Sequence, residues 1–158
     1  MNYLIRKANP KDIPIVFDLM MQLARYEKME NEVQCNAEQL RENVFDKKLA
    51  EIIVCEVEQS VVGFALYFYN YSTFVGKPGL YLEDLFVDPN YRGKGLGKAL
   101  LLELAKIAHQ KSCGRMEWSV LNWNSPAINF YQSLGAKPMD TWTVYRLDAK
   151  KIEQLAQE

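Results

Sequence analysis

The stretch Arg92-Gly93-Lys94-Gly95-Leu96-Gly97-Lys98 is the most informative part of the chain, because it joins an apolar segment ending at Val87 to a predicted helix over residues 96–111. Alternating glycines let a backbone approach a ligand closely, and the unpaired N–H groups of a helix N-terminus bind anions. Basic side chains at positions 92, 94 and 98 add positive charge. The stretch therefore predicts a cradle for phosphate or pyrophosphate. A glycine-rich turn without a ligand is the alternative.

Two common nucleotide-binding motifs do not fit this stretch. A Walker A loop requires G-x-x-x-x-G-K-[ST], whereas Ala99 follows Lys98 here and the glycines are spaced differently. A dinucleotide fingerprint requires G-x-G-x-x-G and a later acidic residue, whereas the pattern here is G-x-G-x-G and residues 110–114 contain no acidic side chain. The identity of the ligand must therefore come from the rest of the chain.

The periodicity of apolar residues predicts one mixed α/β domain over residues 1–158. Segments rich in β-branched and aromatic residues predict strands at residues 3–6, 52–57, 61–69, 81–87, 116–121 and 142–147. Helical spacing predicts helices at residues 13–27, 37–45 and 96–111. A further short helix is expected to begin at Ser125 as its N-cap and to end at Gly135, and Asp12 and Asp148 are expected to cap the first and last helices.

The composition is that of an ordinary globular domain, with 49% hydrophobic and 25% charged residues in a chain of 158. The formal net charge of −1 provides no surplus of Lys and Arg, so nucleic acid is not an expected partner. Three scattered cysteines and a single histidine predict neither a disulfide framework nor a metal site, and they suit a reducing compartment. Since no apolar run has the length of a membrane span or the form of a signal peptide, we expect a cytoplasmic protein that does not bind membranes.

Further motifs accompany the glycine loop. The segments Tyr81-Leu82-Glu83-Asp84-Leu85-Phe86-Val87, Asn122-Trp123-Asn124 and Asn129-Phe130-Tyr131 follow in order, and Tyr26-Glu27 and Gly63-Phe64-Ala65 precede them. Together with Arg92-x-x-Gly95-x-Gly97, this arrangement resembles the GNAT N-acetyltransferases, whose pyrophosphate loop has that form. Within that family, the chain resembles the diamine/polyamine (spermidine/spermine) branch and its thialysine acetyltransferase relatives over residues 5–147.

The resemblance implies a fold, a cosubstrate and a quaternary state. The fold would be a GNAT-type, mostly antiparallel and twisted sheet of about six or seven strands flanked by about four helices. The cosubstrate would be acetyl-CoA, and the protein would be a homodimer. Backbone N–H groups near residues 85–87 would stabilise the oxyanion. The residues that would bind acetyl-CoA are Leu85, Phe86, Val87, Arg92, Gly93, Lys94, Gly95, Leu96, Gly97, Lys98, Asn124, Ser125, Pro126 and Ala127.

Acetyl transfer to an amine requires a proton acceptor, since at pH 7 only about one lysine-like amine in a few thousand is neutral. Glu83 and Asp84 are adjacent on a predicted strand, where successive side chains face opposite ways. The resemblance favours Glu83 as the carboxylate that attracts the cation and takes its proton, and it implies that Tyr131 is the general acid for the departing thiolate. An exposed carboxylate pair and a core tyrosine are the structural alternatives.

The predicted substrate is a small cationic amine. The resemblance implies that Tyr26, Glu27, Glu83, Glu117, Trp118 and Ser119 bind it, and a solvated acidic loop is the alternative for the segment around Glu27. Polyamine enzymes of this branch carry an acidic residue near the position of Ser72, whereas a hydroxyl there is similar to the thialysine-type relatives. The missing carboxylate would remove one anchor for a second ammonium group and disfavour long polyamines.

Other kinds of protein share some of these features. A CoA-binding module without catalysis would keep the glycine loop but would not need Glu83 and Tyr131, both of which are present. A phosphate-binding adaptor would use only the loop. An acetyltransferase that modifies proteins is a rival within the same class. The combined motifs favour an N-acetyltransferase that acts on small amines.

Overall fold

Five strands form one sheet in the first part of the chain. They are β1 (Tyr3–Lys7), β2 (Glu51–Val57), β3 (Ser60–Ser72), β4 (Lys77–Val87) and β5 (Arg115–Glu117), and they lie side by side in that order. The first four are antiparallel neighbours, and β5 runs parallel to β4. The computed structural model describes all 158 residues, which divide into two compact units, Met1–Ser119 and Val120–Glu158.

Helices cover the sheet of the first unit. They are α1 (Ile13–Tyr26), α2 (Ala37–Arg41), which continues into a π-helical segment (Glu42–Asp46), and α3 (Leu96–Gln110). One buried cluster joins α1 and α2 to the sheet; it contains Ile13, Val16, Leu19, Leu40, Val44, Ile52, Val54, Phe64 and Phe86. Helix α3 packs on β2, β3 and β4. The centre of β2, residues 52–55, is buried without interruption, so this part of the strand is a continuous apolar run rather than an alternating one.

Two turns of the first unit depend on particular residues. Glu58 and Gln59 join β2 to β3 with φ angles of 49° and 67°, the pair of positive values that a tight two-residue hairpin requires. At the end of β3, the buried Ser72 hydroxyl accepts a hydrogen bond from the Val75 N–H at 3.2 Å. Gly76 follows with a φ of 69°. Ser72 therefore stabilises the turn between β3 and β4.

The start of α1 differs from the expectation that Asp12 caps it. Asp12 stands at the N-cap position, but its side chain makes no capping hydrogen bond to α1. Its carboxylate instead accepts hydrogen bonds from the Arg6 guanidinium at 2.8 and 3.0 Å and from the Asn9 N–H at 2.8 Å. Arg6 also binds Glu56 of β2 at 2.8 Å. This network joins β1, β2 and the start of α1, and it holds the pKa of Asp12 below its ordinary value.

The second unit contains α4 (Ser125–Ser133) and α5 (Ala149–Ala156). The N-cap of α4 is Asn124, whose side chain accepts from the Ala127 N–H at 3.4 Å, so the prediction that Ser125 is the N-cap is wrong by one residue. Gly135 follows α4 in the left-handed conformation, with a φ of 88°. Asp148 caps α5 by accepting from the Lys151 N–H at 2.9 Å. The predictions for Gly135 and Asp148 are confirmed.

The sheet has fewer strands than predicted. There are five instead of six or seven, and there are five α-helices instead of about four. Residues 142–147 form no strand because they pair with no other segment, and Trp142, Val144 and Tyr145 are 71%, 82% and 93% exposed. The strand predicted over 116–121 is only Arg115–Glu117, because its ladder with β4 ends there. None of the helices combines the length and the apolar character of a membrane span.

Candidate active site

The second half of β4 has one free edge. Its ladder with β3 continues to Val87, but its ladder with β5 includes only Gly79, Leu80 and Tyr81. Beyond Tyr81, the edge of β4 that faces away from β3 therefore has no strand partner. Every second residue of that part of an antiparallel strand directs its N–H and C=O groups toward this edge. Residues 85–87, which are predicted to bind acetyl-CoA, belong to this open edge.

A β-bulge lies at the two adjacent carboxylates of β4. Leu66 is opposite Asp84 and Tyr67 is opposite Leu82, which leaves Glu83 as the extra residue. A bulge interrupts the alternation of side chains and re-aims them. The alternation that separated Glu83 from Asp84 in the sequence therefore does not hold at this point. Glu83 is exposed, whereas Asp84 is half-buried.

Asp84 borders a cleft of about 310 Å³ beside the end of α1. The other residues that line it are Met20, Leu23, Ala24, Glu27, Met29, Glu32, Val33, Gln34 and Cys35. Burial raises the pKa of Asp84 to about 6, and the negative charges of Glu83 and Glu27 add to this effect. Burial also raises the pKa of Glu27. The cleft thus has three carboxylates, Asp84, Glu27 and Glu32, among largely apolar side chains, where a cation would be strongly attracted.

Sequence reasoning placed Glu27 in the substrate site but did not place Asp84 there. Asp84 is adjacent to Glu83 in the motif that carried the resemblance, so the signal was present. Strict alternation on the strand argued against using both residues, and only the bulge removes that argument.

The glycine loop has the geometry of an anion cradle. Gly93 and Gly95 have φ angles of 73° and 79°, which side chains disfavour, and an added Cβ at either would meet open space. Gly95 is the N-cap of α3, so the free N–H groups of the first turn follow it directly. An added Cβ on Gly97 would lie 3.8 Å from Leu85 Cδ2, which places this turn against the open end of β4. These features fit the pyrophosphate group of acetyl-CoA.

Arg92 makes contacts that the sequence did not predict. Its Nε donates to the carbonyl oxygen of Val87 at 3.1 Å. The guanidinium carbon lies 5.0 Å from the centre of the Phe86 ring and 5.4 Å from the centre of the Tyr26 ring. Both distances are those of cation–π contacts. The guanidinium therefore connects the last residue of α1 to the end of β4.

The predicted substrate residues after β5 do not line the cleft. Glu117 forms an ion pair with Arg115 at 3.1 Å, and the Ser119 hydroxyl is 3.1 Å from the Tyr81 hydroxyl. Trp118 is half-buried between them in the chain. The Ser72 hydroxyl, considered above as a determinant of the substrate, is occupied by the turn after β3. Of the predicted amine-binding residues, only Glu27 lines the cleft.

The second unit carries the remaining predicted site residues. Asn124, Ser125, Pro126 and Ala127 form the start of α4, and Asn124 caps it. Tyr131 lies in the same helix, is half-buried, and has its ring 5.5 Å from that of Phe130. The cap and the candidate general acid are therefore held on one short helix.

Comparison with known proteins places this geometry among acetyltransferases. The model of the acetyltransferase (GNAT) family matches residues 16–136. The chain is 34% identical over 165 residues to the thialysine N-epsilon-acetyltransferase of Bos taurus, a match that covers 97% of this chain and 96% of that protein. It is 40% identical over 115 residues to an L-ornithine N5-acetyltransferase of Arabidopsis thaliana, covering 73% of this chain and 47% of that protein.

Solved structures contain the same fold. An integron cassette protein from the mobile metagenome of V. cholerae superposes with a TM-score of 0.82 and is 27% identical. That match covers 100% of this chain and 99% of the other. The similarity therefore extends over the whole length of the chain.

Proposed function

The chain belongs to the GNAT acetyltransferase family, and from this premise we propose that it transfers the acetyl group of acetyl-CoA to a primary amine of a small cationic molecule. One observation carries the proposal: β4 has an anion cradle beside its open edge and a carboxylate-lined cleft at its bulge. We also propose that residues 1–158 act as one acetyltransferase domain, because the family match continues through the boundary after Ser119.

Acetyl-CoA would supply an activated acetyl thioester. Gly93, Gly95 and the first turn of α3 would bind its pyrophosphate through backbone N–H groups, and the exposed Lys94 and Lys98 would add positive charge. The open edge of β4 at residues 85–87 would bind the pantetheine arm as a strand partner does. An N–H group of this edge, fixed before the reaction, would donate to the thioester oxygen as its negative charge increases. We assign the start of α4, with Asn124 to Ala127, to the same cosubstrate.

Asp84 and Glu27, which line the cleft, would bind the ammonium group. With a pKa of about 6, Asp84 is about nine-tenths ionised at pH 7, and it is a stronger base than an exposed aspartate. An amine that loses its proton to Asp84 or Glu83, directly or through water, becomes a nucleophile. Glu83 keeps the role of proton acceptor that the resemblance implies, and Asp84 is added as the buried carboxylate of the pair.

Tyr131 would return a proton to the thiolate that departs. A phenol with an ordinary pKa near 10 can donate to a thiolate whose conjugate acid has a pKa near 8.5, a modest uphill step. Its place on a helix whose start is assigned to the cosubstrate is consistent with this role.

We propose amino acids with a side-chain amine as the first substrates to test. The matched relatives act on thialysine and on L-ornithine, as their names state. A cleft of about 310 Å³ with three carboxylates suits a short molecule that carries a cation.

The test is an assay of thiol release from acetyl-CoA with thialysine, ornithine, lysine, putrescine, spermidine and spermine. We expect turnover, and higher kcat/KM values for thialysine or ornithine than for the polyamines. A preference for spermidine would refute the substrate class and retain the enzyme. Binding of acetyl-CoA without turnover of any amine would favour the non-catalytic CoA-binding module.

We further propose a homodimer in the cytoplasm. The exposed apolar residues of the second unit, which include Val144, Tyr145, Ile152 and Leu155, would be covered by a second copy. Three free cysteines are consistent with a reducing compartment. Light scattering coupled to gel filtration would detect the dimer, and a monomer at micromolar concentration would refute it.

A further inference from the structure

We propose that Arg92 is a positioning residue for the amine cleft, because it ties the end of α1 to the end of β4. The inference rests on the proposed function for what the cleft binds. Its geometry is independent of that function, since every contact involved is present in the protein alone.

The Arg92 guanidinium lies at the end of β4 and contacts residues of two elements. Three contacts hold it: the Val87 carbonyl at 3.1 Å, the Phe86 ring at 5.0 Å and the Tyr26 ring at 5.4 Å. Both rings lie within cation–π distance of the group, and the bond to Val87 uses one of its five N–H donors. Lysine could keep the charge at this position, but it would carry it on a compact ammonium instead of the planar group that reaches all three partners.

Arg92 contacts the C-terminal end of α1, which leads into the cleft. Tyr26 is the last residue of α1, and Glu27, which lines the cleft, follows it. Lys28 then has a φ of 60°, a conformation that a residue with a side chain adopts only at a cost. The backbone N–H of Met29, another lining residue, donates a hydrogen bond to the Ala24 carbonyl oxygen at 2.8 Å. Backbone hydrogen bonds close this helix end as a left-handed C-cap, and the contact of Tyr26 with Arg92 adds a tether from outside the helix.

The consequence is a link between the two halves of the site. Arg92 begins the glycine loop, and its partners Phe86 and Val87 belong to the open edge of β4. Whatever orders the loop or that edge also orders Tyr26, and with it the carboxylate of Glu27. Loss of the guanidinium should therefore weaken amine binding even when the donor has no pyrophosphate.

The first experiment measures hydrogen exchange of the Glu27, Lys28 and Met29 amides in the free protein, where it needs no substrate. Arg92→Leu and Tyr26→Leu should each speed exchange about two- to five-fold, the size expected for one exposed cation–π contact. Tyr26→Phe keeps the ring and should keep the protection. Arg41→Leu removes an exposed arginine that pairs only with Glu38 and Asp46, and it serves as the matched control. Unchanged exchange in Arg92→Leu would overturn the proposal.

The second experiment compares two donors, acetyl-CoA and S-acetylpantetheine, which lacks the pyrophosphate. Arg92→Leu should raise the KM for thialysine by a similar factor, about two- to five-fold, with both donors and should change kcat less. The double variant with Tyr26→Leu should have no larger effect on that KM than either single variant, since both remove one contact. An effect confined to acetyl-CoA would make Arg92 a pyrophosphate ligand and overturn the proposal. Absence of acetyl transfer in the wild type would refute the proposed function, while the exchange experiment would still decide the role of Arg92.

Discussion

Replacing Asp84 by asparagine should stabilise the protein and impair its activity. Burial beside Glu27 and Glu83 raises the pKa of Asp84 from 3.8 to about 6, so the ionised carboxylate destabilises the folded state. The shift of about two pKa units corresponds to about 3 kcal/mol at pH values above 7. A carboxyl whose pKa is raised by folding has no such cost below its unfolded pKa; the cost develops as the pH rises from about 3.8 to about 6 and is complete above that range. The amide of the variant is neutral at every pH and avoids this cost.

The measurement is the free energy of unfolding in urea at pH 8 and at pH 4. Asp84→Asn should gain up to about 3 kcal/mol at pH 8 and only about 0.5 kcal/mol at pH 4. Glu83→Gln is the matched control, because it neutralises the adjacent but exposed carboxylate of the same bulge and should change stability by less than about 1 kcal/mol. An equal gain at both pH values would show that packing, and not the buried charge, separates the variant from the wild type.

The same variant should lose amine acetylation. If the ionised Asp84 binds the ammonium, kcat/KM of the wild type should fall as the pH drops below about 6, and Asp84→Asn should lower it about 10²-fold or more at pH 8. Gaining stability while losing activity is common where a site holds a destabilising group for function. An unchanged kcat/KM would remove Asp84 from the site.

Three further predictions concern other parts of the chain. Gly95→Ala and Gly76→Ala each place a side chain in open space, at φ angles of 79° and 69°, so both variants should lose about 1 kcal/mol of stability. Only Gly95→Ala should weaken acetyl-CoA binding in calorimetry, and equal affinities of the two variants would refute the cradle. Tyr131→Phe should reduce kcat and leave the affinity for acetyl-CoA nearly unchanged, and a wild-type kcat would exclude the general acid. Asp12→Asn should destabilise the protein by about 1–3 kcal/mol at pH 7, because it breaks the pair with Arg6. Since folding lowers the pKa of Asp12, that deficit should disappear as the pH falls through this lowered pKa, and a deficit that persists in urea titrations at pH 2 would contradict the charge-based explanation.

Local signals in the sequence were sufficient for most elements. The helix predicted over 96–111 is Leu96–Gln110, and the strands predicted at 52–57 and 61–69 are joined by a tight turn at Glu58 and Gln59, both with positive φ angles. These features depend on neighbouring residues, through apolar periodicity and turn geometry, and so can be recognised without the fold. Elements that depend on a distant partner were harder to predict. Residues 142–147 have the composition of a strand, but a strand also requires a partner that composition does not reveal.

The site divides in the same way. The sequence by itself determined the family, the glycine loop at the start of α3 and the presence of carboxylates near residue 84, because glycines, charges and their spacing are local properties. Only the tertiary structure decided that β4 loses its partner after Tyr81, that a bulge at Glu83 breaks the alternation, and that Asp84 is buried beside Glu27. It likewise placed Arg92 between Tyr26 and Phe86, which are 60 residues apart in sequence and belong to different elements. Strand register, burial and ring contacts arise between segments that are distant in the chain, and these long-range contacts set the pKa values and positions on which the proposed chemistry depends.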